Sequence, residues 1–245
     1  SVSLTGGSLY ALYCNIGGNV GGNGLFVMTN GLFTTGLDLT VGVNGTGVME
    51  VADGTLNVGQ VVSIGKNAKA SGRLTMTGGQ LKGTNNTRVG DWGGVGTLDL
   101  QGGAFMSGYG GNSSVGNGNG STGIVTVTGG SLVFNLSLYL GNNGTNTLGT
   151  LDVSGGDVVV SNQLVLGNNA FAYGSASVSG GSLWVGDDIR LGVSSNTYGH
   201  FTVTGGVVTN KDYIDVGHYG TGILQVAGGE VLTKVLRLTP YDRTN

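Results

Sequence analysis

Short segments in which apolar and polar residues alternate recur along the whole chain. In the clearest segment, Leu151 and Val153 precede the Gly155-Gly156 pair by four and two residues. Apolar residues hold the same two positions in every repeat: Val2/Leu4, Phe26/Met28, Met49/Val51, Leu74/Met76, Leu98/Leu100, Val125/Val127, Leu151/Val153, Ala176/Val178, Phe201/Val203 and Leu224/Val226. Because side chains two residues apart lie on one face of a β-strand, each repeat predicts a strand with one buried face.

Two further strands are predicted in each repeat. The second strand carries an apolar residue two positions after the glycine pair: Leu9, Phe33, Leu56, Leu81, Phe105, Leu132, Val158, Leu183, Val208 and Val231. The third strand ends in an aliphatic residue followed by glycine: Ile16-Gly17, Val41-Gly42, Ile64-Gly65, Val89-Gly90, Val115-Gly116, Leu140-Gly141, Leu166-Gly167, Leu191-Gly192 and Val216-Gly217. We therefore expect three short strands in each repeat, all facing one core.

The repeats recur every 23 to 27 residues, as counted between the second glycines of successive pairs. A period in this range indicates a solenoid or a propeller, and a propeller blade requires about 40 residues. Helical repeats are disfavoured because the chain contains 53 glycines, each of which destabilises a helix. The sequence thus predicts an all-β, single-stranded parallel β-solenoid, or β-helix, of about ten rungs that forms one domain over residues 1–245.

The glycines are expected at the corners of the solenoid, where the backbone needs positive φ or a close approach. Asn and Asp adopt such conformations next most easily, which is the interpretation of Asn30 and Asp53 at the first position of two pairs. A phosphate-binding loop is disfavoured because no Gly-x-x-x-x-Gly-Lys-Ser/Thr motif occurs. The calcium-binding nonapeptide Gly-Gly-x-Gly-x-Asp is also absent from the sequence.

Composition narrows the choice of function. Charged residues make up 9% of the chain and the formal net charge is −3, which disfavours nucleic-acid binding. Two histidines and one cysteine offer few soft ligands, so we expect no metal and no cofactor. Cys14 falls in an inward column and is interpreted as a core thiol, with a reactive thiol as the alternative. The sequence has no apolar run of 18 residues, so membrane insertion is not predicted. The start at Ser1, without a signal peptide, suggests a mature or excised segment.

Rungs 4 and 5 depart from the regular pattern. Their inward positions carry Gly83, Thr87, Ser107 and Ser113 instead of large apolar residues, and two extra residues near 108–111 predict a bulge. In rungs 1 to 3, asparagines recur two residues after the marker glycine, at Asn19, Asn44 and Asn67. Stacked asparagines form amide ladders, and we expect one here.

A group of charged residues, which we call the charged corner, lies in rungs 8 and 9 and consists of Asp187, Asp188, Arg190, Asp212 and Asp215. Asp187 and Asp212 stand four residues before the aliphatic residue that ends the third strand, and Arg190 and Asp215 stand one residue before it. In residue type alone the charged corner resembles the acid-plus-arginine clefts of β-helical polysaccharide lyases. The alternative is that opposite charges pair between neighbouring rungs, as is common on sheets. Because no long loop is available to build a cleft, we expect no enzymatic activity.

Threonine and serine recur at outward positions of the first strand, as in Thr75/Thr77 and Thr126/Thr128. Such an array resembles the ice-binding face of insect antifreeze solenoids. Acidic residues interrupt it at Glu50, Asp99 and Asp152, and threonine is also a favourable residue on exposed strands. Ice binding is kept as a second alternative.

An outward column of the second strand turns apolar from rung 5 onward. Its members, three residues after the glycine pair, are Tyr10, Thr34, Asn57, Lys82, Met106, Val133, Val159, Trp184, Thr209 and Leu232. We call Met106, Val133, Val159, Trp184 and Leu232 the apolar strip and expect it to be an assembly face, because soluble monomers rarely expose a continuous apolar strip. The alternative is that a loop or flanking domain covers it.

The ends of the pattern also predict association. The chain enters in a first strand and leaves in a third strand without a recognisable cap, and uncapped solenoid ends are templates for pairing. We expect head-to-tail stacking, or that the segment belongs to a longer solenoid.

The repeat Gly-x-Leu-x-Val-x-Gly-Gly-x-Val, followed after about eight residues by Leu-Gly, is similar to the strand repeats of bacterial autotransporter passengers and related surface adhesins. The resemblance covers all ten rungs. It implies a secreted or surface-displayed solenoid that serves as a stalk, adhesin or matrix element, with self-association and surface glycans as candidate partners. It carries over no catalytic residues. Binding or cleavage of polysaccharides remains the first alternative.

Overall fold

A computed structural model describes residues 1–169 and 171–238, and every regular element in these ranges is a β-strand. The first strands of rungs 1 to 8 are β1 (Val2–Leu4), β4 (Asn23–Met28), β7 (Thr46–Val51), β10 (Ser71–Met76), β13 (Val95–Leu100), β16 (Thr122–Val127), β19 (Leu148–Val153) and β22 (Tyr173–Val178). Their second strands are β2 (Ser8–Ala11), β5 (Leu32–Thr35), β8 (Thr55–Val58), β11 (Gln80–Gly83), β14 (Ala104–Ser107), β17 (Ser131–Phe134), β20 (Asp157–Val160) and β23 (Ser182–Val185).

The third strands are β3 (Cys14–Ile16), β6 (Leu39–Val41), β9 (Val62–Ile64), β12 (Thr87–Asp91), β15 (Ser113–Asn117), β18 (Leu138–Asn142), β21 (Leu164–Leu166), β24 (Ile189–Leu191), β26 (Tyr213–Val216) and β28 (Val235–Leu238). In rungs 9 and 10 the first and second strands are fused into β25 (Tyr198–Asn210) and β27 (Thr221–Leu232). The prediction of three separate strands is therefore wrong for these two rungs. The glycine corner there is a bulge within a continuous ladder, with register shifts around Thr204.

Each strand pairs in parallel with its equivalent in the next rung. The third strands form one ten-stranded sheet, and the first and second strands form an 18-stranded sheet. Equivalent residues are in register, as in the pairs Gly149–Gly174 and Leu151–Ala176. The predicted parallel β-solenoid is thus confirmed.

Inward columns from all three strands meet in one core that extends along the axis. Its largest fully buried side chains include Phe33, Phe105, Phe134 and Phe201. Burying a side chain of this size stabilises the fold by about 1.5–3 kcal/mol. Since each rung covers only its neighbours, this stabilisation comes from stacking.

Two kinds of glycine shape the corners. The marker glycine Gly65 has φ of 68°, a conformation that glycine adopts without strain. The opening glycine Gly72 packs directly against backbone atoms of Val41 and Gly65, which leaves no room for a Cβ atom. These two requirements explain why both positions repeat as glycine.

The interpretation of Asn30 and Asp53 needs correction. The residues with positive φ are the second members of the pairs, Gly31 (99°) and Gly54 (94°). The Asn30 and Asp53 side chains instead accept hydrogen bonds of 2.7 Å from the backbone N–H groups of Gly31 and Gly54. Their role is to satisfy a turn donor.

Rungs 4 and 5 contain the expected irregularity. The loop between β14 and β15 spans residues 108–112, two more than the loop 135–137 between β17 and β18. The polar inward residues are buried and bonded to one another. The Ser107 hydroxyl lies 3.1 Å from that of Thr87 and 2.9 Å from that of Ser113, so a hydroxyl network replaces apolar contacts at this level.

Amide stacking occurs, but only partly at the predicted residues. Asn67 donates to Asn44 at 2.8 Å, whereas Asn44 donates to the backbone carbonyl of Gly18 and not to the side chain of Asn19. A longer ladder lies one residue closer to the marker glycine, in rungs 4 to 7, and consists of Asp91, Asn117, Asn142 and Asn168.

Cys14 lies in β3, opposite Leu39 of the next rung, and packs against the core as predicted. It is a free thiol and is half-buried. Burial raises the pKa of this thiol to about 11, because the thiolate would lose hydration.

Candidate functional site

The apolar strip is a single column on the outward side of the second strands. Register pairs Met106 with Val133, Val133 with Val159, and Val159 with Trp184. Thr209 then separates Trp184 from Leu232. The structure therefore brings four of the five predicted residues together and places Leu232 one rung apart from them.

Trp184 is half-buried. Its indole ring covers Gly186 of its own rung, where a Cβ atom would come within 3.1 Å of it. The ammonium group of Lys211, in the next rung, lies 5.1 Å from the ring centroid in a cation–π arrangement. A partner can therefore reach only the part of the indole that Gly186 and Lys211 leave open.

The two terminal rungs present apolar faces along the axis. In rung 10, Val226 is 52% exposed and Leu236 is 52% exposed, while their stacking partners in rung 9, Val203 and Ile214, have no exposed surface. At the other end, Val2 is 51% exposed and its partner Phe26 only 4%. The same columns that are sealed inside the solenoid are thus open at both described ends.

The charged corner spans rungs 8 and 9. Asp187 and Asp188 lie in the turn between β23 and β24, and Asp212 lies in the turn between β25 and β26. Asp188 is 2% exposed, and its Oδ2 atom accepts hydrogen bonds from Arg190 Nε at 3.2 Å and Nη2 at 2.7 Å. Arg190 Nη2 also donates to the Tyr213 hydroxyl at 2.7 Å.

The alternative interpretation of these charges was that opposite charges pair between neighbouring rungs. Such pairing describes only part of the observed arrangement. Arg190 forms its ion pair with Asp188 of its own rung. Asp215 is in register with Arg190, and its carboxylate contacts His218 Nδ1 at 2.8 Å within rung 9. One contact between rungs involves an aromatic ring: the Arg237 guanidinium lies 3.9 Å from the Tyr213 ring centroid.

Sequence reasoning missed three residues of this corner. The Gln163 amide donates to Oδ2 of both Asp187 and Asp188, at 3.2 and 3.3 Å. Hydrogen bonding to Asp188 raises the pKa of the Tyr213 hydroxyl. Asn210 donates to the backbone carbonyls of Asp187 and Tyr213. A sequence signal could have identified it, because Asn210 occupies an inward column that holds Val160 and Val185 in rungs 7 and 8.

The outward threonine and serine residues of the first strands, which we call the threonine track, lie in register. Many of their polar groups already form hydrogen bonds within the protein. Arg73 donates to the Thr75 hydroxyl at 3.3 Å and forms an ion pair of 2.6 Å with Asp99. Ser177 donates to Asp152 at 2.7 Å. A cavity of about 350 Å³ opens beside the track in rungs 2 to 4, and its lining includes Glu50. The face is therefore internally hydrogen-bonded and interrupted by charge.

No family model, no curated protein and no solved structure matches this chain. Among the described residues, no helix has the length and hydrophobicity needed to cross a membrane.

Proposed function

We propose that this chain is an extracellular structural or adhesive β-solenoid rod that self-associates end to end. One observation carries the proposal: each described rung stacks in parallel on the next with its inward apolar columns aligned, so every rung offers one neighbour the same edge that its other neighbour offers to it. The extracellular setting rests on the resemblance of the repeat to those of surface adhesins.

Repetition makes the two ends complementary. Rung 10 presents the edge that every rung offers to its successor, and rung 1 presents the edge that every rung offers to its predecessor. A second copy stacked in the same register would continue the ladders and the core together. Such a head-to-tail contact does not close on itself, so it generates filaments.

Burial of apolar side chains at the junction would favour association. Burial of an apolar side chain stabilises by up to about 1.5–3 kcal/mol, and Val226, Leu236 and Leu238 of rung 10 are each at least half exposed. The unpaired edges of β27 and β28 add main-chain hydrogen bonds. The apolar strip would supply a second, lateral contact between rods.

Sedimentation velocity over a range of concentrations tests the axial contact. We expect the mass of the wild-type chain to rise with concentration, and the double variant Val226→Lys with Leu238→Lys to remain monomeric because two ammonium groups cannot be buried in the junction. Val95→Lys is the matched control, since Val95 is 45% exposed and faces outward in rung 5. A monomeric wild type, or assembly by the double variant equal to that of the control, would contradict the proposal.

A further inference from the structure

Residues other than glycine adopt a left-handed backbone on one edge of the solenoid, in the turns between a third strand and the next first strand. In the described part of the chain they are Lys69, Trp92, Asn143, Asn146, Phe171 and Asn196. Asparagine enters this conformation more readily than most residues, whereas a bulky aromatic residue there is an outlier. Backbone outliers of this kind concentrate at functional sites. Trp92 and Phe171 therefore indicate that this edge contacts a ligand.

Phe171 belongs to a column of residues that stand two positions before the first strand of the next rung. We call this the turn column, and in rungs 6 to 9 it consists of Asn146, Phe171, Asn196 and Tyr219. The Asn146 N–H donates to the Phe171 carbonyl at 3.2 Å, and the Phe171 N–H donates to the Asn196 carbonyl at 3.1 Å. Amide and aromatic side chains thus alternate from rung to rung.

Both aromatic residues of the turn column are largely exposed. The exposed fraction is 57% for Phe171 and 46% for Tyr219. The Tyr219 ring packs against His218 at right angles, with 4.4 Å between ring centroids. Since strands of neighbouring rungs lie about 4.8 Å apart, the two aromatic positions are separated by about 10 Å along the axis.

The turns on this edge are neutral from rung 4 to rung 9. Residues 92–94, 118–121, 143–147, 167–172, 192–197 and 217–220 include no aspartate, glutamate, lysine or arginine. Asn146 and Asn196 are exposed, and their amide groups form no hydrogen bond with another described residue. Each amide can both donate and accept. This combination suits an uncharged ligand that carries hydroxyl groups, whereas a lipid surface requires a continuous apolar face.

We propose that the turn column binds a neutral, extended β-1,4-linked polysaccharide that lies along the solenoid axis. The C–H groups of a sugar ring pack on the electron-rich face of an aromatic ring, and the sugar hydroxyls bond to Asn146 and Asn196. The rung spacing of about 4.8 Å is close to the length of one sugar unit in such a chain. Successive units of a β-1,4-linked chain are turned over, so Phe171 and Tyr219, two rungs apart, meet equivalent faces. The site lies on the side of the rod and does not depend on axial stacking.

Isothermal titration calorimetry with cellohexaose and with chitohexaose tests the site, since both are neutral and β-1,4-linked. We expect saturable binding of at least one of them. Phe171→Asn should fold like the wild type, because Asn146 and Asn196 already hold the same backbone conformation. It should lower the affinity by at least about fivefold, the smallest loss usual when an aromatic stacking contact is removed. Phe171→Tyr keeps the ring and should keep the affinity.

Tyr109→Asn is the matched control. It removes an exposed aromatic residue from the loop 108–112, on a different corner of the rung, and should bind like the wild type. Lack of binding to both hexasaccharides would overturn the proposal, as would equal affinity in the wild type and a folded Phe171→Asn variant. Equally tight binding of maltohexaose, an α-linked and curved chain, would overturn the assignment to an extended chain. Phe171-dependent binding to phosphatidylcholine vesicles without binding to either hexasaccharide would assign the edge to a lipid surface instead.

Discussion

The carboxylate of Asp91, which has no exposed surface, accepts a hydrogen bond of 2.6 Å from the side-chain amide of Asn117 in the next rung. Asn142 donates in turn to Asn117 at 3.3 Å, and Asn168 donates to Asn142 at 2.8 Å. All these amides donate in the same direction along the axis. The ladder therefore needs an acceptor at its first position, and a carboxylate, paired here with Arg88 at 3.2 Å, fulfils that need.

Two substitutions of Asp91 should distinguish the contribution of the amide ladder to stability from that of the ion pair with Arg88. In Asp91→Ala, the Asn117 amide loses its acceptor, and we expect destabilisation by about 1–3 kcal/mol. In Asp91→Asn an amide oxygen can still accept from Asn117, so the loss should be smaller. Urea unfolding followed by circular dichroism measures both variants. Equal losses in the two variants would contradict a directional ladder ending at Asp91.

Local opening is expected to be easiest in rungs 4 and 5, where small or polar residues replace apolar ones in the core and the loop 108–112 is longer than its equivalents. Amide hydrogen exchange measures such opening segment by segment. We expect residues 83–115 to exchange faster than residues 151–191. Equal protection would mean that the hydroxyl network of Thr87, Ser107 and Ser113 stabilises the core as well as apolar packing does.

A substitution at Gly83 tests whether the lack of apolar side chains in the core of rungs 4 and 5 causes the faster exchange. A Cβ atom at Gly83 would lie 3.5 Å from the Val62 side chain, an ordinary van der Waals contact, and the backbone is not left-handed. Gly83→Ala should therefore stabilise the chain, by about 0.4–1 kcal/mol, and slow exchange in this zone. Gly102→Ala is the contrast, because its Cβ would clash with the Thr77 carbonyl and destabilise the fold.

The fold followed from the sequence because the solenoid repeats one set of physical requirements in every rung. The backbone geometry at Gly65 and Gly72 requires glycine. Apolar residues such as Leu151 and Val153 alternate with polar ones because only one face of the strand is buried in the core. The fusion of strands in β25 was not predictable, since the same glycine pair forms a separate corner in rungs 1 and 4 to 8.

The charged corner was predictable by residue type but not by geometry. Asp187 and Asp188 are adjacent in sequence, yet Asp188 is buried and Asp187 is only partly so. The burial of Asp188 depends on Arg190, two residues along the same rung, and on Gln163, which comes from rung 7. The contact with Gln163 across rungs carries no local sequence signal.

Cys14 gives a test based on pH, because it is the single cysteine of the chain. Its pKa of about 11 means that the alkylation rate of the folded protein should keep rising from pH 8.5 to about 11. In urea the rate should level off near the usual thiol pKa of about 8.5. The raised pKa also implies a stabilising contribution that is complete below the unfolded-state pKa and is lost as pH approaches 11. Iodoacetamide labelling followed by mass spectrometry measures the rates, and a plateau near pH 8.5 in the folded protein would contradict this burial.

Lateral association is expected to depend on the apolar strip. Val159→Lys with Trp184→Glu should leave the solenoid folded, because both side chains face outward and are only half-buried, but should abolish side-by-side contacts. Thr34→Lys with Asn57→Glu is the matched control in the polar part of the same column. Light scattering, with circular dichroism to verify folding, compares the two. Unchanged lateral association in the folded strip variant would contradict the assignment of the apolar strip as the lateral contact.

Axial stacking is the central claim of the proposed function, and cryo-electron microscopy of the concentrated wild-type chain tests it most directly. We predict filaments in which rung 10 of one molecule lies on rung 1 of the next, with the rung spacing of about 4.8 Å continuing unbroken through each junction. Isolated short rods at high concentration, or rods that contact one another only along their sides, would contradict it.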